Sequence, residues 1–402
     1  MRISTAEFTS QAILAIDSQS SALQKTQNEL SSGMAVQTAA DNPVAASQIV
    51  QLSQQQAQLT QYGTNLQSAQ TRLTLEESSL STATSNLQSI RDLVVQAGDA
   101  TLNDSNRAQI GTQIQTQIQA LLGTANTKDS NGEYLFSGYA TQTQSFAADS
   151  SGNVSYQGDA GNRLIQISAD QSVADSDTGA TAFMNIAAGN GTFTTAANAA
   201  NTGSGIIDSG SVVDSAQWVP DKYTLTFTSP TTYQVIDNST GTTVVANGAY
   251  TAGSAIEFQG VQVTVTGSPA AADSFTVAPS GQQSMFATLT QLATALSKPA
   301  DTAAAKAQLA TSLGSALTNI DQTVNHLSTV SASVGSRIDM LSAQTTTNTS
   351  TSTALSTQKS GLQDVDYAAA VSTLSQQMVG LQAAEQSYAA ISQLSLFKYL
   401  SL

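Results

Sequence analysis

Residues Asp364–Leu402 read DVDYAAAVSTLSQQMVGLQAAEQSYAAISQLSLFKYLSL. Val371, Leu374, Met378, Leu381 and Tyr388 recur at helical steps of three, four, three and seven, and Ile391 and Leu394 extend the stripe. This is the pattern of a helix that packs on other helices. Its end, with Leu394, Leu396, Phe397, Tyr399, Leu400 and Leu402, is apolar almost all round, whereas chain ends are ordinarily polar and frayed. Such an end requires a partner, from this chain or from another molecule. Residues 1–32 have complementary character. They contain no Gly or Pro, and Ile16, Leu23 and Leu30 lie seven apart with Ile13 in the alternate position. Gly33 suits a helix C-cap, and 34–41 form a connector.

Working inward, Asn42-Pro43 reads as an N-cap followed by Pro at the first helical position. Leu52, Leu59, Leu66, Leu73, Leu80, Leu87 and Val94 then follow at intervals of seven, with Gln55 and Glu76 as polar exceptions at the companion positions. This spacing predicts a coiled-coil helix on the order of 60 Å long. After a break at Gly98–Asn103, Asp104 or Ser105 is expected to cap a further helix carrying Ile110, Ile114, Ile118 and Leu121. In the second half Leu313, Ile320, Leu327, Val334 and Leu341 repeat the seven-residue interval, preceded by a short helix through Phe286, Leu289, Leu292 and Leu296. Between the halves, period-two runs such as Tyr223–Phe227, Val261–Val265 and Phe275–Val277 alternate with turn signals at Gly241, Gly248 and Gly260. They predict antiparallel hairpins, with a weak signal over 171–217.

The fold class expected is α+β, mainly α. A long antiparallel coiled-coil helical rod is built from both chain halves, with a small antiparallel β domain inserted. Residues 1–40 form a terminal helix paired with 363–402; 41–144 and 281–362 are the two halves of the rod; 145–280 is the all-β insert. The rod seam is Leu52, Leu59, Leu66, Leu73, Leu80 and Leu87 against Leu313, Ile320, Leu327 and Val334. Such a narrow seam buries little. The terminal residues Ile16, Leu23, Leu30, Leu374, Met378, Leu381, Leu394, Leu396 and Phe397 are therefore expected to carry assembly with like neighbours, in a stack that makes a tube or filament.

Composition narrows the chemistry. The chain has 402 residues, no Cys, 10% charged residues and a net charge of −15. Its 13 Lys and Arg are scattered, which argues against nucleic acid as a partner, since that requires neutralised phosphates. The lack of Cys excludes disulfides, zinc–thiolate sites and a thiol nucleophile. No apolar run reaches the roughly 20 residues that span a bilayer, and MRISTAEFTS does not read as a secretory signal. Neither a membrane partner nor a cofactor is expected. His326 has no second His or Cys beside it for a metal site or a triad, and it is expected on an exposed helix face. Glu76-Glu77 reads as a polar coiled-coil position rather than a catalytic pair. Trp218 reads as core packing. No catalytic constellation emerges.

Several short segments carry a resemblance. Leu30-Ser31-Ser32-Gly33 with Ala39-Ala40-Asp41-Asn42-Pro43 resembles the flagellin superfamily. The start Met1-Arg2-Ile3-Ser4-Thr5, the segment Asn131–Tyr139 (NGEYLFSGY), and Asp366-Tyr367-Ala368 with Leu394–Leu400 (LSLFKYL) are similar to the flagellar hook-associated protein 3 family within it. The resemblance covers roughly 1–145 and 281–402. Met34-Ala35-Val36 and Lys398 depart from the family pattern without disturbing the apolar stripe. It implies an axial structural subunit of the bacterial flagellum, extracellular and exported without a cleavable signal. Its implied partners are copies of itself, hook-associated protein 1, flagellin, and an export chaperone on the C-terminal segment. A filament-forming flagellin is the near alternative, against which the ending Leu396–Leu400 speaks. A secreted surface adhesin is the distant one, and 145–280 shows no binding set for it.

Overall fold

The structure, a computed structural model, describes residues 5–150 and 152–393. The chain divides into two compact units, one of residues 1–64 with 345–402 and one of 65–344. Six α-helices are described: α1 (Thr5–Ser32), α2 (Pro43–Ala97), α3 (Asp104–Ala125), α4 (Met285–Ser297), α5 (Ala303–Gln363) and α6 (Tyr367–Gln393). The short strands before the separate β core are β1 (Phe146–Ala148), β2 (Val154–Tyr156), β3 (Leu164–Gln166), β4 (Ser172–Ala174) and β5 (Ile186–Ala187), with a π-helical turn at Ala180–Met184. The remaining strands are β6 (Phe193–Ala197), β7 (Ile206–Ile207), β8 (Ser211–Val212), β9 (Tyr223–Ser229), β10 (Thr232–Asp237), β11 (Thr243–Ala249), β12 (Ala255–Phe258), β13 (Val261–Thr266), β14 (Ser274–Pro279) and β15 (Gln282–Gln283). The molecule is mainly helical, with α2 packed on α5, α1 packed on α6, and an antiparallel β insert.

In the 65–344 unit the heptad seams do what their spacing requires. Leu66, Leu73, Leu80 and Leu87 of α2 lie in one core with Leu313, Ile320, Leu327, Val334 and Leu341 of α5. Polar contacts fix the direction. Arg91 meets Asp321 at 2.8 Å, while Glu76 accepts the Asp177 N–H at 3.0 Å and Asp177 pairs with Arg337. Moving towards the start of α2 therefore moves towards the end of α5, so the pair is antiparallel. Helices α3 and α4 cover the same core through Ile110, Ile114, Ile118, Phe286 and Leu289. Gly111 allows this approach, because a Cβ there would sit 3.3 Å from Leu296 and from the Ala293 carbonyl. The cap of α3 is Asn103, whose side chain accepts from Asn106 N–H at 2.8 Å, one residue before the expected Asp104.

The stretch 146–187, with its short strands, places Phe146, Ile167, Val173 and Ile186 in this helical core. A separate core starts at Phe193. There the sheet β11-β10-β9-β14-β6 and a second sheet of β12, β13 and β7, with β8 also on β13, bury Tyr223, Leu225, Phe227, Val263, Phe275 and Val277. Every one of these residues alternates with an exposed or half-buried neighbour along its strand, as period-two patterning requires. The weak stretch 171–217 holds β4–β8 and the π-helical turn. Trp218 lies between Phe193 and Tyr223, with ring centroids 5.7 and 6.1 Å away.

The Thr-rich stretch of α5 stays helical because its hydroxyls bond back along the helix. Thr349, Thr351 and Thr353 donate to the carbonyls of Thr345, Thr347 and Thr349, each at 2.9 Å. On α2, Thr71, Thr74 and Thr82 do the same at 2.8–2.9 Å. This local bonding competes with helix in an unfolded chain, but here it satisfies the hydroxyls of Thr349, Thr351 and Thr353 within the helix.

Candidate functional site

The pairing of the two terminal helices is set at an elbow. Helix α1 ends where Gly33 adopts φ +75° and donates to Glu29 O at 2.9 Å. That backbone region strains any residue with a Cβ. The chain then lies against the bend between α5 and α6: Ala35 N–H donates to Gln363 O at 2.7 Å, and Val365 N–H to Gly33 O at 2.9 Å. Asp366 caps α6 by accepting from Ala368 and Ala369 N–H at 3.0 and 3.1 Å. The Tyr367 hydroxyl lies 3.0 Å from where a Gly33 Cβ would stand. Downstream, Asp41 accepts from Thr38 N–H at 2.9 Å and faces Lys25 at 3.4 Å. The hydrogen bonds from Thr38 hold its carboxyl below the usual range. Asn42 caps α2 through Ala45 N–H at 3.0 Å. The Leu30–Gly33, Asp41–Pro43 and Asp366–Ala368 segments thus build one joint from distant parts of the chain.

From this joint α1 and α6 run antiparallel. Gln19 Nε2 donates to Gln377 O at 3.2 Å, beside Gly380, where a Cβ would come within 3.0 Å of that nitrogen. Ile16, Leu23 and Leu30 of α1 and Leu374, Leu381 and Tyr388 of α6 are half-buried, and Ala370 is buried. The half-buried residue between Leu374 and Leu381 is Gln377, whereas Met378 is 54% exposed. An α-helix of 3.6 residues per turn allows either choice, and the Gln19 contact, made to the Gln377 backbone carbonyl, sets α1 against this side of α6. A second apolar stripe stays uncovered: Phe8, Ile13 and Leu14 on α1, and Tyr367, Val371, Met378 and Val379 on α6 are exposed large apolar residues. A groove of about 640 Å³ between Leu23, Met378, Val379 and Leu381 runs beside it. Leu394, Leu396 and Phe397 lie outside the described residues.

The seam residues divide by burial. Leu52, Leu66, Leu73, Leu80, Leu87, Leu313, Ile320, Leu327 and Val334 are buried, and Leu59 is half-buried. Two polar positions differ from expectation. His326 is half-buried, with Nε2 2.7 Å from Thr181 O in the π-helical turn, so it ties that turn to α5. Glu76 is fully buried and anchors the Asp177 backbone, a role no local pattern announces. The NGEYLFSGY segment buries Leu135 and Phe136. A Cβ on its Gly138 would stand 2.3 Å from Asp159 Oδ1, so only glycine fits. Among the described residues there is no cluster of side chains suited to a metal ion, and no helix long and apolar enough to cross a membrane.

Residues 3–141 match the bacterial flagellin N-terminal helical region and 317–400 its C-terminal helical region, while 196–279 match the D2-like domain of flagellar hook-associated protein 1. Flagellar hook-associated protein 3 of Escherichia coli is 37% identical over 179 residues, 44% of this chain and 56% of that protein. The chain therefore spans little more than half the length of the curated relatives it matches. Among solved structures, hook-associated protein 3 of Legionella pneumophila is 32% identical with a TM-score of 0.74, covering 78% of this chain and 98% of that one. The flagellar junction protein FlgL of the same organism is 34% identical with a TM-score of 0.69, covering 74% and 99%.

Proposed function

The chain belongs to the flagellar hook-associated protein 3 family, and from that premise we propose that it joins the hook to the flagellin filament by assembling through α1 and α6. It is a structural component of the bacterial flagellum rather than an enzyme. The observation that carries the reading is the uncovered apolar stripe on the α1–α6 pair, which a soluble monomer has no use for. Copies of this chain cover that stripe in the assembled ring. One longitudinal face meets hook-associated protein 1, in keeping with the match of 196–279 to a domain of that protein, and the other meets flagellin. Residues 1–40 and 363–402 are the inner, assembling part, 41–144 with 281–362 the helical body, and 145–280 the outward insert. Before assembly an export chaperone holds the C-terminal segment, and the subunit leaves the cell through the flagellar export route.

The test is a clean deletion of the gene, with electron microscopy of the cells and an immunoblot of the medium for flagellin. Hooks without filaments, with flagellin lost to the medium, are expected. Cells carrying normal filaments would refute the junction role.

A further inference from the structure

Behind the helical seam lies a group of ionisable side chains with unequal charge. Arg72, 4% exposed, faces Asp129, Glu133 at 3.6 Å and Asp175 at 3.1 Å. Arg163, just before β3, pairs with Glu133 at 3.2 Å and with Asp175. Arg337 of α5 pairs with Asp177 and donates to Ala174 O at 3.2 Å. Glu76, one turn after Arg72 on α2, reaches the same segment through the Asp177 N–H at 3.0 Å. Its other oxygen, Oε2, is buried without a partner, as is Oε2 of the adjacent Glu77. Glu76, Asp129, Glu133, Asp175 and Asp177 thus share three guanidiniums. Of these five carboxylates each but Glu76 touches at least one of those cations, so an excess proton among them belongs on Glu76.

We propose that Glu76 is a proton-held latch: as a neutral acid it keeps the 174–178 segment closed on α2 and α5, and its ionisation releases that segment. An ionised Glu76 would set an unpaired charge against the Asp177 carboxylate inside a seam that excludes water. Opening the segment relieves this by hydrating both groups. Burial first, and the Asp177 charge second, push the Glu76 carboxyl up to about 8, with Arg337 pulling the other way. The latch is therefore closed in neutral surroundings and opens in mildly alkaline ones.

The chain has seven Glu and no Cys, which makes the test direct on the whole protein. With carboxyl-13C-labelled Glu, one resonance is expected to titrate near pH 8, and that resonance should vanish in Glu76→Gln. A spin label at the exposed Ser172→Cys should be immobile at pH 6.5 and gain mobility with the same midpoint. In the Glu76→Gln background it should stay immobile to pH 9. The proposal is overturned if no Glu resonance titrates near pH 8, which the unmutated chain alone reveals, or if the label fails to loosen with Glu76 in place or loosens equally in both backgrounds.

Discussion

Replacing Arg72 by Met removes a cation from among three acids while keeping an apolar stem of similar length. Asp129, whose side chain is 6% exposed, loses the only cation it pairs with among the described ion pairs, and Asp175, fully buried, keeps only Arg163. Breaking a buried ion pair from one side costs about 3–5 kcal/mol, because the remaining charge is left desolvated. The contact between Arg91 and Asp321 supplies the internal control. Its side chains are 45% and 50% exposed, so Arg91→Met should cost no more than about 1 kcal/mol. For a unit of this size each kcal/mol moves Tm by about 2–4 °C. The expected shifts in calorimetry at pH 7 are therefore about 6–20 °C for Arg72→Met and less than about 4 °C for Arg91→Met. Adding Asp129→Asn should restore part of the loss in the first variant, since it removes the stranded charge. Equal shifts for the two single variants would show that burial does not govern these pairs, and the charge accounting behind the Glu76 latch would fall with it.

Leu381→Asp places a charge on the half-buried stripe of α6 and should abolish incorporation into flagella, with the circular dichroism of the β insert unchanged; normal motility would contradict the assembly role. Gly33→Ala must hold φ +75° with a Cβ 3.0 Å from the Tyr367 hydroxyl; a loss of about 1–2 kcal/mol, seen as faster amide exchange at the elbow, is expected. Leu80→Ala, at a fully buried site, should cost about 2.7–5 kcal/mol, and Leu59→Ala, at a half-buried one, distinctly less in the same denaturant titration. The Glu76 carboxyl is raised to about 8 from a reference of 4.5, so between those values the folded chain keeps a proton that the unfolded chain has released. Stability should fall by a few kcal/mol as pH rises through that window and level off above it, and Glu76→Gln should flatten the profile.

The helices were legible because their burial repeats. Leu52 to Leu87 and Leu313 to Val334 each return every second turn to the same face, and nothing in the fold overrides that period. The strands from Tyr223 to Val277 were legible for the matching reason, with period two. What escaped was set by contacts far apart in the chain. Gln377, not Met378, is the half-buried residue of α6 beside α1, at a point where its backbone carbonyl accepts from Gln19 of the other terminal helix. Glu76 is buried because a segment a hundred residues later folds its Asp177 amide onto it. The strands before Phe193 are only two or three residues long and bury single side chains such as Val173 in the helical core, so they present no period at all. Arg72, Arg163 and Arg337 looked scattered in one dimension and are gathered only by the fold.

The back-bonded hydroxyls of α2 and α5 have a consequence for the medium in which the protein works. Those faces carry few charges, and their Thr donors are already satisfied by the helix itself. Salt screens charges and leaves such surfaces unaffected. Contacts along them are screened little by salt, so the sensitivity of the molecule to ionic strength lies with its charged groups, among them exposed pairs such as Arg91 with Asp321.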